Sequence, residues 1–299
     1  MLIVVTVFLL SALLILYPII GNKLAEVNKS LVLTDYSQSV ESMDNSEVEE
    51  MLEKARAYNS TLSPVSVSMN GKFAADNLRE AAKDYPDLLN INSGGVMGYI
   101  DIPSLDVFLP IYHGTDGETL ERGVGHLLGT SLPVGGKGTH AVLTGHSGLA
   151  RDKLLSDIEF MEVGDKFYIH ILTETLAYEV DGINTVLPED TSLLSVESGE
   201  DLCTIITCTP YGVNTHRLLV RGHRVEYIPE EEEKLAVENE TFKAQKSVWK
   251  EQYLRGIRYG GLTFAGITAV FMLALLARGI KKLLTPKPRK RGKHEKVKS

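Results

Sequence analysis

Short β-type segments follow one another through the middle of this chain, and they constrain its fold more than any other feature. Two lie in the run VMGYIDIPSLDVFLPIY, separated by a turn at Pro103 and Ser104. Five more are predicted at residues 139–144, 166–172, 176–186, 202–208 and 217–227. Glycine, proline and aspartate separate the segments, with one helix predicted among them at residues 150–161. This pattern is typical of a mostly β fold, either a closed barrel or a sandwich.

Two long uncharged apolar runs frame the β-type region. Residues 2–20 and residues 260–277 are each about long enough to span a membrane as a helix. The first run could instead be a cleaved signal peptide, but its apolar part is long for one and no small-x-small cleavage site follows it. The sequence therefore predicts two transmembrane helices, with an uncleaved anchor favoured at the N-terminus.

Charge is divided unequally along the chain. The ten Lys or Arg and one Glu from Arg278 onward give the tail a charge of +9. Because the whole chain carries −8, residues 1–277 carry −17. An acidic body with a short basic tail beside an apolar run argues against a nucleic-acid partner. The positive-inside rule places the tail in the cytoplasm, and two spans then put the region between them outside the cell.

These patterns divide the chain into six predicted segments. Residues 22–90 are expected to be helical as far as Tyr58 and Asn59, with a Ser-rich loop at 60–71 that could form a flap, and then a short helix at 73–89. The six are an N-terminal transmembrane anchor or signal anchor (1–21), an extracellular helical region with a possible lid (22–90), a β-rich domain (91–228), a juxtamembrane helix (229–258), a C-terminal transmembrane helix (259–280) and a basic cytoplasmic tail (281–299).

The stretch TIITCTPYGVNTHRLLVRGHRV carries the strongest chemical signal. Residues 204–207 have the composition of a buried strand, Cys208 ends that strand, and Pro210 prevents its continuation. After a turn, Arg217 opens a second strand. A thiol at the mouth of one strand would then lie near a guanidinium at the mouth of the next. This arrangement suits a cysteine nucleophile with a fixed cation that can donate N–H groups to an oxyanion.

Among the eight histidines, His146 has the best context for acid–base catalysis. It follows the strand at 139–144 and lies between Gly145 and Gly148, so we expect it at a strand end with open backbone around it. The others rank lower: His140 for packing, His216 for holding its loop, His223 within a strand, and His113, His126 and His170 without paired chemistry.

The cysteines give no sign of a metal site or a disulfide. Cys203 and Cys208 are five residues apart on one predicted strand, so their side chains face opposite ways. A zinc site using both with His216 and His223 does not match a known ligand spacing. Cys203 is expected to be a small core residue, and the sequence calls for no metal and no cofactor.

The segment TIITCTPYGVNTHR resembles the sortase signature, in which a TLxTC strand is followed by a loop and an essential Arg. The longer string CTPYGVNTHRLLVRGHR is similar to the pilus-building class C branch. GYIDIP and GHLLGTSLPVGGKGTHAVLTGHSGL agree with the family in the same order. The resemblance covers about residues 90–227 and implies an eight-stranded closed barrel as the catalytic domain.

The resemblance also implies roles for residues at one groove of that barrel. Cys208 would attack the Thr–Gly bond of an LPxTG-like sorting signal on a pilin, and a Lys amine of the next pilin would resolve the thioacyl enzyme. His146 would transfer protons, and Arg217 would hold the substrate or the oxyanion. Thr207, Tyr211 and Asn214 are expected to contact the substrate. The enzyme would lie at the cell membrane of a Gram-positive-type envelope.

Two departures and three alternatives accompany this interpretation. No Asp-Pro-aromatic lid motif occurs between residues 59 and 90, where Asn70–Phe73 is the nearest candidate, and Ser147 stands where many relatives carry Arg. A sortase that attaches proteins to cell-wall peptidoglycan is the first alternative, and the second apolar span argues against it. A hydrolytic cysteine protease and a non-enzymatic, membrane-anchored β-barrel scaffold are the others.

Overall fold

The computed structural model describes residues 2–62, 83–92, 94–147 and 154–237. The helices are α1 (Leu2–Ser42), α2 (Asn45–Thr61) and α3 (Gly117–Arg122), and residues 229–237 are also helical. The strands are β1 (Val96–Ile102), β2 (Val107–His113), β3 (Val124–His126), β4 (Thr139–Thr144), β5 (Lys166–Ile171), β6 (Glu174–Val186), β7 (Asp201–Thr209) and β8 (His216–Val225). Short 3₁₀ turns occur at Tyr85–Asp87, Pro103–Leu105, Ile158–Phe160 and Ser192–Leu194.

The eight strands form a closed barrel in the order β1-β2-β3-β4-β7-β8-β6-β5, and the pairing of β5 with β1 closes it. The pairs β2–β3 and β4–β7 are parallel, and the other pairs are antiparallel. The prediction of an eight-stranded closed barrel with short helices is therefore confirmed. The parallel β4–β7 pair matters most for the site, because it brings two strand ends to the same rim.

Alternation of side chains builds the barrel core. In β1, Ile100 and Ile102 are wholly buried in the core, whereas Tyr99 and Asp101 lie on the other face of the strand. Gly98 lies where β1 approaches β5 closely, since a Cβ there would come within 2.2 Å of the His170 carbonyl oxygen. The glycine of the GYIDIP run is thus required by packing between strands.

The predicted strands lie within two residues of the observed ones at each end, and the bounds of β4 match in full. The predicted helix at residues 150–161 is wrong over its described part. Residues 154–157 form a turn that leads into the 3₁₀ turn Ile158–Phe160. Leu154 has φ of 38°, which an α-helix does not allow.

Helix α2 belongs to the same core as the barrel. Its start is fixed by a capping box. The Asp44 carboxylate accepts from the Ser46 N–H, and the Asp44 N–H donates to the Glu47 carboxylate. One face, formed by Val48, Leu52, Ala55 and Tyr58, is buried in the cluster that fills the barrel. The predicted amphipathic helix ending near residue 59 is confirmed, with α2 ending at Thr61.

Two polar side chains attach the N-terminal helices to the barrel. The Tyr36 hydroxyl of α1 donates to the Met97 carbonyl oxygen at 2.8 Å and accepts from the Leu172 N–H at 2.8 Å. The Asn59 amide of α2 donates to the Leu132 carbonyl oxygen at 3.0 Å and accepts from the Leu132 N–H at 2.7 Å. Both side chains satisfy buried backbone groups that water does not reach.

None of the described helices is both long and apolar enough to cross a membrane. The predicted first span, residues 2–20, forms the beginning of α1. The predicted second span at 259–280, the basic tail at 281–299 and most of the juxtamembrane helix at 229–258 lie outside the described residues, as do residues 63–82 of the predicted flap and helix at 60–89.

Candidate active site

Cys208 and Arg217 lie directly opposite each other in the antiparallel register of β7 and β8. One further pair, Thr209 and His216, completes the ladder, so the cysteine lies one residue before the strand end and not at it. The turn between the strands is closed by the Pro210 carbonyl oxygen, which accepts from the Asn214 N–H at 3.0 Å. The predicted neighbourhood of the cysteine and the arginine follows from this short connection.

The end of β4 brings His146 to the same rim. The Gly145 N–H donates to the Ile206 carbonyl oxygen at 3.0 Å, which continues the parallel β4–β7 ladder by one residue. The Thr207 hydroxyl donates to the Gly145 carbonyl oxygen at 2.9 Å from the other strand. These bonds fix the backbone just before His146 beside the strand that carries Cys208. The three predicted catalytic residues thus come from three adjacent strands at one end of the barrel.

Two further contacts hold the backbone around His146. The Ser147 hydroxyl donates to the Cys208 carbonyl oxygen at 2.7 Å, and the Leu155 N–H donates to the His146 carbonyl oxygen at 3.2 Å. Leu155 also packs closely against Gly145, since a Cβ atom at Gly145 would lie 2.7 Å from the Leu155 Cδ1 atom. The Ser147 contact could not be expected from the sequence, because it joins segments far apart in the chain.

The Arg217 guanidinium is positioned by its own turn. Its Nη1 atom donates to the carbonyl oxygens of Asn214 at 3.3 Å and His216 at 3.1 Å. A guanidinium has five N–H donors, so others remain for a carboxyl, carbonyl or oxyanion. No carboxylate among the described residues forms an ion pair with Arg217.

A narrow cleft opens in front of Cys208. It is lined by Ser147, Ser156, Ile158, Glu159, Thr207, Cys208, Thr209, Tyr211 and Leu218. The Cys208 thiol is partly exposed there, and neither His146 nor Cys208 has a side-chain hydrogen bond to any described residue. The segment Ser156–Glu159 is the part of this wall that the sequence did not indicate, because a helix was expected there.

The predicted substrate-binding residues occupy different environments. Thr207 is buried, and its hydroxyl is committed to the Gly145 carbonyl oxygen. Tyr211 is 60% exposed and lines the cleft. Asn214 lies in the turn with φ of 62° and supports Arg217 through its carbonyl oxygen. Contact of these three with a substrate stays a prediction.

The second cysteine differs sharply from the first. Cys203 is wholly buried in the barrel core, and burial raises the pKa of its thiol well above the usual value. A thiol that stays protonated is a poor nucleophile. His140 is also structural, because its ring nitrogens bond the Ser195 carbonyl oxygen at 2.9 Å and the Thr204 hydroxyl at 2.7 Å. The rim therefore offers one accessible thiol, an imidazole and a guanidinium.

Comparisons with known proteins agree with this geometry. A sortase domain is matched over residues 100–225. Sortase C1 from Streptococcus agalactiae is 42% identical, with a TM-score of 0.60, over 66% of this chain and 99% of that one. Sortase C from Streptococcus pneumoniae is 41% identical, with a TM-score of 0.59, over 66% of this chain and 97% of that one.

A curated relative from another branch extends the similarity. Sortase A from Bacillus anthracis is 31% identical over 147 residues, which are 48% of this chain and 68% of the relative. The chain is therefore similar both to sortases C and to a sortase A. With the barrel, the Cys208–Arg217 register and these similarities together, this chain belongs to the sortase family of transpeptidases.

Proposed function

We propose that this chain cleaves an LPxTG-like sorting signal between Thr and Gly through a Cys208 thioester and transfers the acyl group to a Lys amine of a pilin. The observation that carries the proposal is the pairing of Cys208 with Arg217 across β7 and β8, with His146 held at the same rim by the end of β4. A thiol there has a cation beside it and a proton carrier on the neighbouring strand.

The proposed reaction has two steps, acylation of Cys208 and transfer of the acyl group to the Lys amine. The Cys208 sulfur attacks the Thr carbonyl carbon, the Thr–Gly amide bond breaks, and His146 gives a proton to the departing Gly amine. The Lys amine then attacks the thioester, loses a proton to His146, and releases the thiolate as the isopeptide bond forms. Arg217 donates N–H groups to the developing oxyanion or to the peptide.

Relatedness supports a pilin as the substrate. This chain covers 97–99% of the two sortases C at 41–42% identity, and 68% of the Bacillus anthracis sortase A at 31% identity. The sortase C of S. pneumoniae has been studied for its pilin substrate specificity. The −17 charge on residues 1–277 suits a Lys-bearing partner as well. Attachment to peptidoglycan is the competing outcome.

The uncharged run at 260–277, which lies outside the described residues, and the basic tail after it support a location at the cell membrane. In this arrangement the barrel faces the outside and the tail lies in the cytoplasm. Limited proteolysis of intact cells tests the orientation, because the barrel should be cleaved by added protease while an epitope placed after Ser299 stays protected. Protection of both parts would contradict it.

The nucleophile is tested by intact mass of the full-length chain in detergent after incubation with an LPxTG-type peptide. Wild type and Cys203→Ala should carry one acyl adduct, and Cys208→Ala should carry none. Cys203 is the matched control, because it is a second thiol on the same strand. An adduct retained in Cys208→Ala, or absent from wild type, would contradict the proposal.

The acceptor is tested by adding competing amines to the acylated enzyme. A Lys-bearing pilin should be converted to an isopeptide-linked product faster than a peptidoglycan cross-bridge peptide at equal concentration. Preference for the cross-bridge peptide would indicate cell-wall attachment, and free acid as the main product would indicate a hydrolytic enzyme.

A further inference from the structure

Three side chains with metal-ligating atoms converge on the outer face of the barrel, where β1 pairs with β5. They are Asp101 of β1, His170 of β5 and Glu232 of the helical residues 229–237. One ligand atom from each lies within 4.8 Å of the others, and no other such trio is found in the described part of the chain. His170 Nε2 and Glu232 Oε1 are 3.1 Å apart.

The barrel itself brings the first two together. Tyr99 and His170 are register partners, and Asp101 lies two residues along β1 on the same face as Tyr99. The intervening Ile100 points into the core. Glu232 reaches this face because the helical segment lies against it, where Glu231 also forms an ion pair with Lys166.

Neighbouring groups fix the orientation of two candidate ligands. His170 Nδ1 is bonded to the Thr175 hydroxyl at 3.0 Å, and the ring stacks on Tyr99 with centroids 4.4 Å apart. The Tyr227 hydroxyl donates to Glu232 Oε2 at 2.6 Å. His170 Nε2 and Glu232 Oε1 are therefore turned towards the same point. Outer-shell bonds of this kind are typical of metal sites.

Two polar groups at this site have no hydrogen bond among the described residues, one a member of the trio and the other a buried hydroxyl beside it. Asp101 is partly buried and has no hydrogen bond within the described residues. The Tyr168 side chain is 1% exposed, and its hydroxyl also has no partner among those residues. Tyr168 is the register partner of Asp101, and the carboxylates of Asp101 and Glu232 act on its hydroxyl electrostatically. An ion pair between His170 and Glu232 alone explains neither group.

We propose that Asp101, His170 and Glu232 bind a Zn²⁺ ion, with water in the fourth position. Zinc takes N and O ligands with water in an open position, and tetrahedral bonds of about 2.1 Å place ligand atoms about 3.4 Å apart. The 3.1 Å between His170 Nε2 and Glu232 Oε1 is close to that spacing. Calcium needs six to eight oxygen ligands, and an imidazole nitrogen favours zinc. The bound cation neutralises Asp101, and its water gives the Tyr168 hydroxyl a partner.

The site has the open position of catalytic zinc sites, but its place in the barrel, away from Cys208, indicates a role in holding the fold. In the barrel order, β6 and β8 separate β5 from β7 on one side, and β2, β3 and β4 separate β1 from β7 on the other. The ion would therefore lie far around the barrel from Cys208. It would join two barrel strands to the helical residues 229–237 and hold the beginning of that segment against the barrel.

The test is a calorimetric titration of the full-length chain in detergent with ZnCl₂. All variants carry Cys208→Ala, so that the accessible thiol does not bind zinc. The parent should bind one equivalent, with a rise in melting temperature. His170→Gln and Asp101→Asn should each weaken binding at least tenfold. Glu232→Gln should do the same without disturbing the barrel strands, because Glu232 lies outside them.

Two matched controls change the same chemical groups elsewhere. His223→Gln removes a half-exposed imidazole of β8, and Glu233→Gln removes an exposed carboxylate next to Glu232. Both should bind zinc as the parent does. Absence of a saturable site in the parent, or equal affinity in the parent and in Glu232→Gln, would overturn the proposal and leave an ordinary ion pair at this face.

Discussion

The rim that carries Cys208 and the face where β1 meets β5 are built in opposite ways. At the rim, backbone bonds and the Thr207 and Ser147 hydroxyls hold the strands, while the side chains of Cys208 and His146 make no hydrogen bond within the described residues. At the β1–β5 face, imidazole, carboxylate and phenol groups bind one another directly. The side chains that we propose to react are left without hydrogen bonds, whereas those of His170 and Glu232 are paired with each other.

The same contrast occurs within β7. Cys203 and Cys208 share one strand, but one lies in the barrel core and the other faces the cleft. The chemistry of each thiol is set by its position and not by its type. Four predictions examine this division between open groups at the rim and paired groups elsewhere.

The largest effect is expected at the open guanidinium. Arg217→Ala should lower the rate of acylation by about 10²–10³-fold, because the oxyanion loses a preorganised donor. Single-turnover formation of the acyl enzyme measures this rate. Arg122→Ala is the matched control. Arg122, on α3, lies over the ring of Tyr112, and its replacement should leave the rate unchanged. A similar loss of rate in both variants would contradict a specific role for Arg217 in acylation.

A pH effect is expected from the paired histidines. Burial lowers the pKa of His126 to about 4, and its ring is bound to the Tyr85 hydroxyl at 2.9 Å and the Ser131 carbonyl oxygen at 2.9 Å. Between pH 6.5 and 4, His126 is protonated in the unfolded chain and neutral in the folded protein. The free energy of unfolding should therefore fall by roughly 3 kcal/mol as the pH drops from 6.5 to 4.

Denaturant unfolding of wild type and His126→Gln across this pH range checks the assignment. The variant should show a shallower loss, which does not vanish because burial also lowers the pKa values of His113 and His140. Equal slopes for the two proteins would mean that His126 is not the source.

A smaller loss is expected at the paired phenol of α1. Tyr36→Phe leaves the Met97 carbonyl oxygen and the Leu172 N–H buried without partners, so the free energy of unfolding should fall by about 1–3 kcal/mol. Thermal or denaturant unfolding measures it. Tyr211→Phe removes a hydroxyl from the exposed rim residue and should change stability by less than about 0.5 kcal/mol. Equal losses would contradict the division.

The smallest effect is expected at a paired but exposed group. Arg56 of α2 bonds Glu174 of β6 at 2.6 Å, yet the two side chains are 43% and 35% exposed. A double-mutant cycle with Arg56→Met and Glu174→Gln should give a coupling below about 1 kcal/mol that decreases in high salt. A coupling of several kcal/mol would show that this pair carries more of the docking of α2 than solvent screening allows.

Composition and turn residues made most of the barrel and the rim predictable from the sequence. The strands are β-branched or apolar runs separated by Gly, Pro and Asp, and a short turn brings Cys208 opposite Arg217. Strand β3 was missed because three residues with a central glycine show no alternation. Helix α3 was missed because a single short turn, capped by the Asp116 side chain, carries no helical periodicity.

Contacts between distant segments were the part that could not be predicted. His170 was assigned no paired chemistry, because Asp101 and Glu232 lie far from it in the chain and only barrel closure brings them together. The Ser147 bond to the Cys208 carbonyl oxygen depends on the parallel pairing of β4 with β7. Leu154 has a backbone conformation that composition does not reveal.

The burial of one face of α2 in the barrel core affects how this enzyme can be shortened. Removing residues before β1 would uncover the apolar surface against which Val48, Leu52 and Ala55 pack, and would leave the Leu132 peptide without the Asn59 amide. An exposed patch of this kind promotes aggregation on expression. The smallest piece that can be expected to remain monomeric in solution therefore begins before Asp44, well upstream of the family-matched residues 100–225.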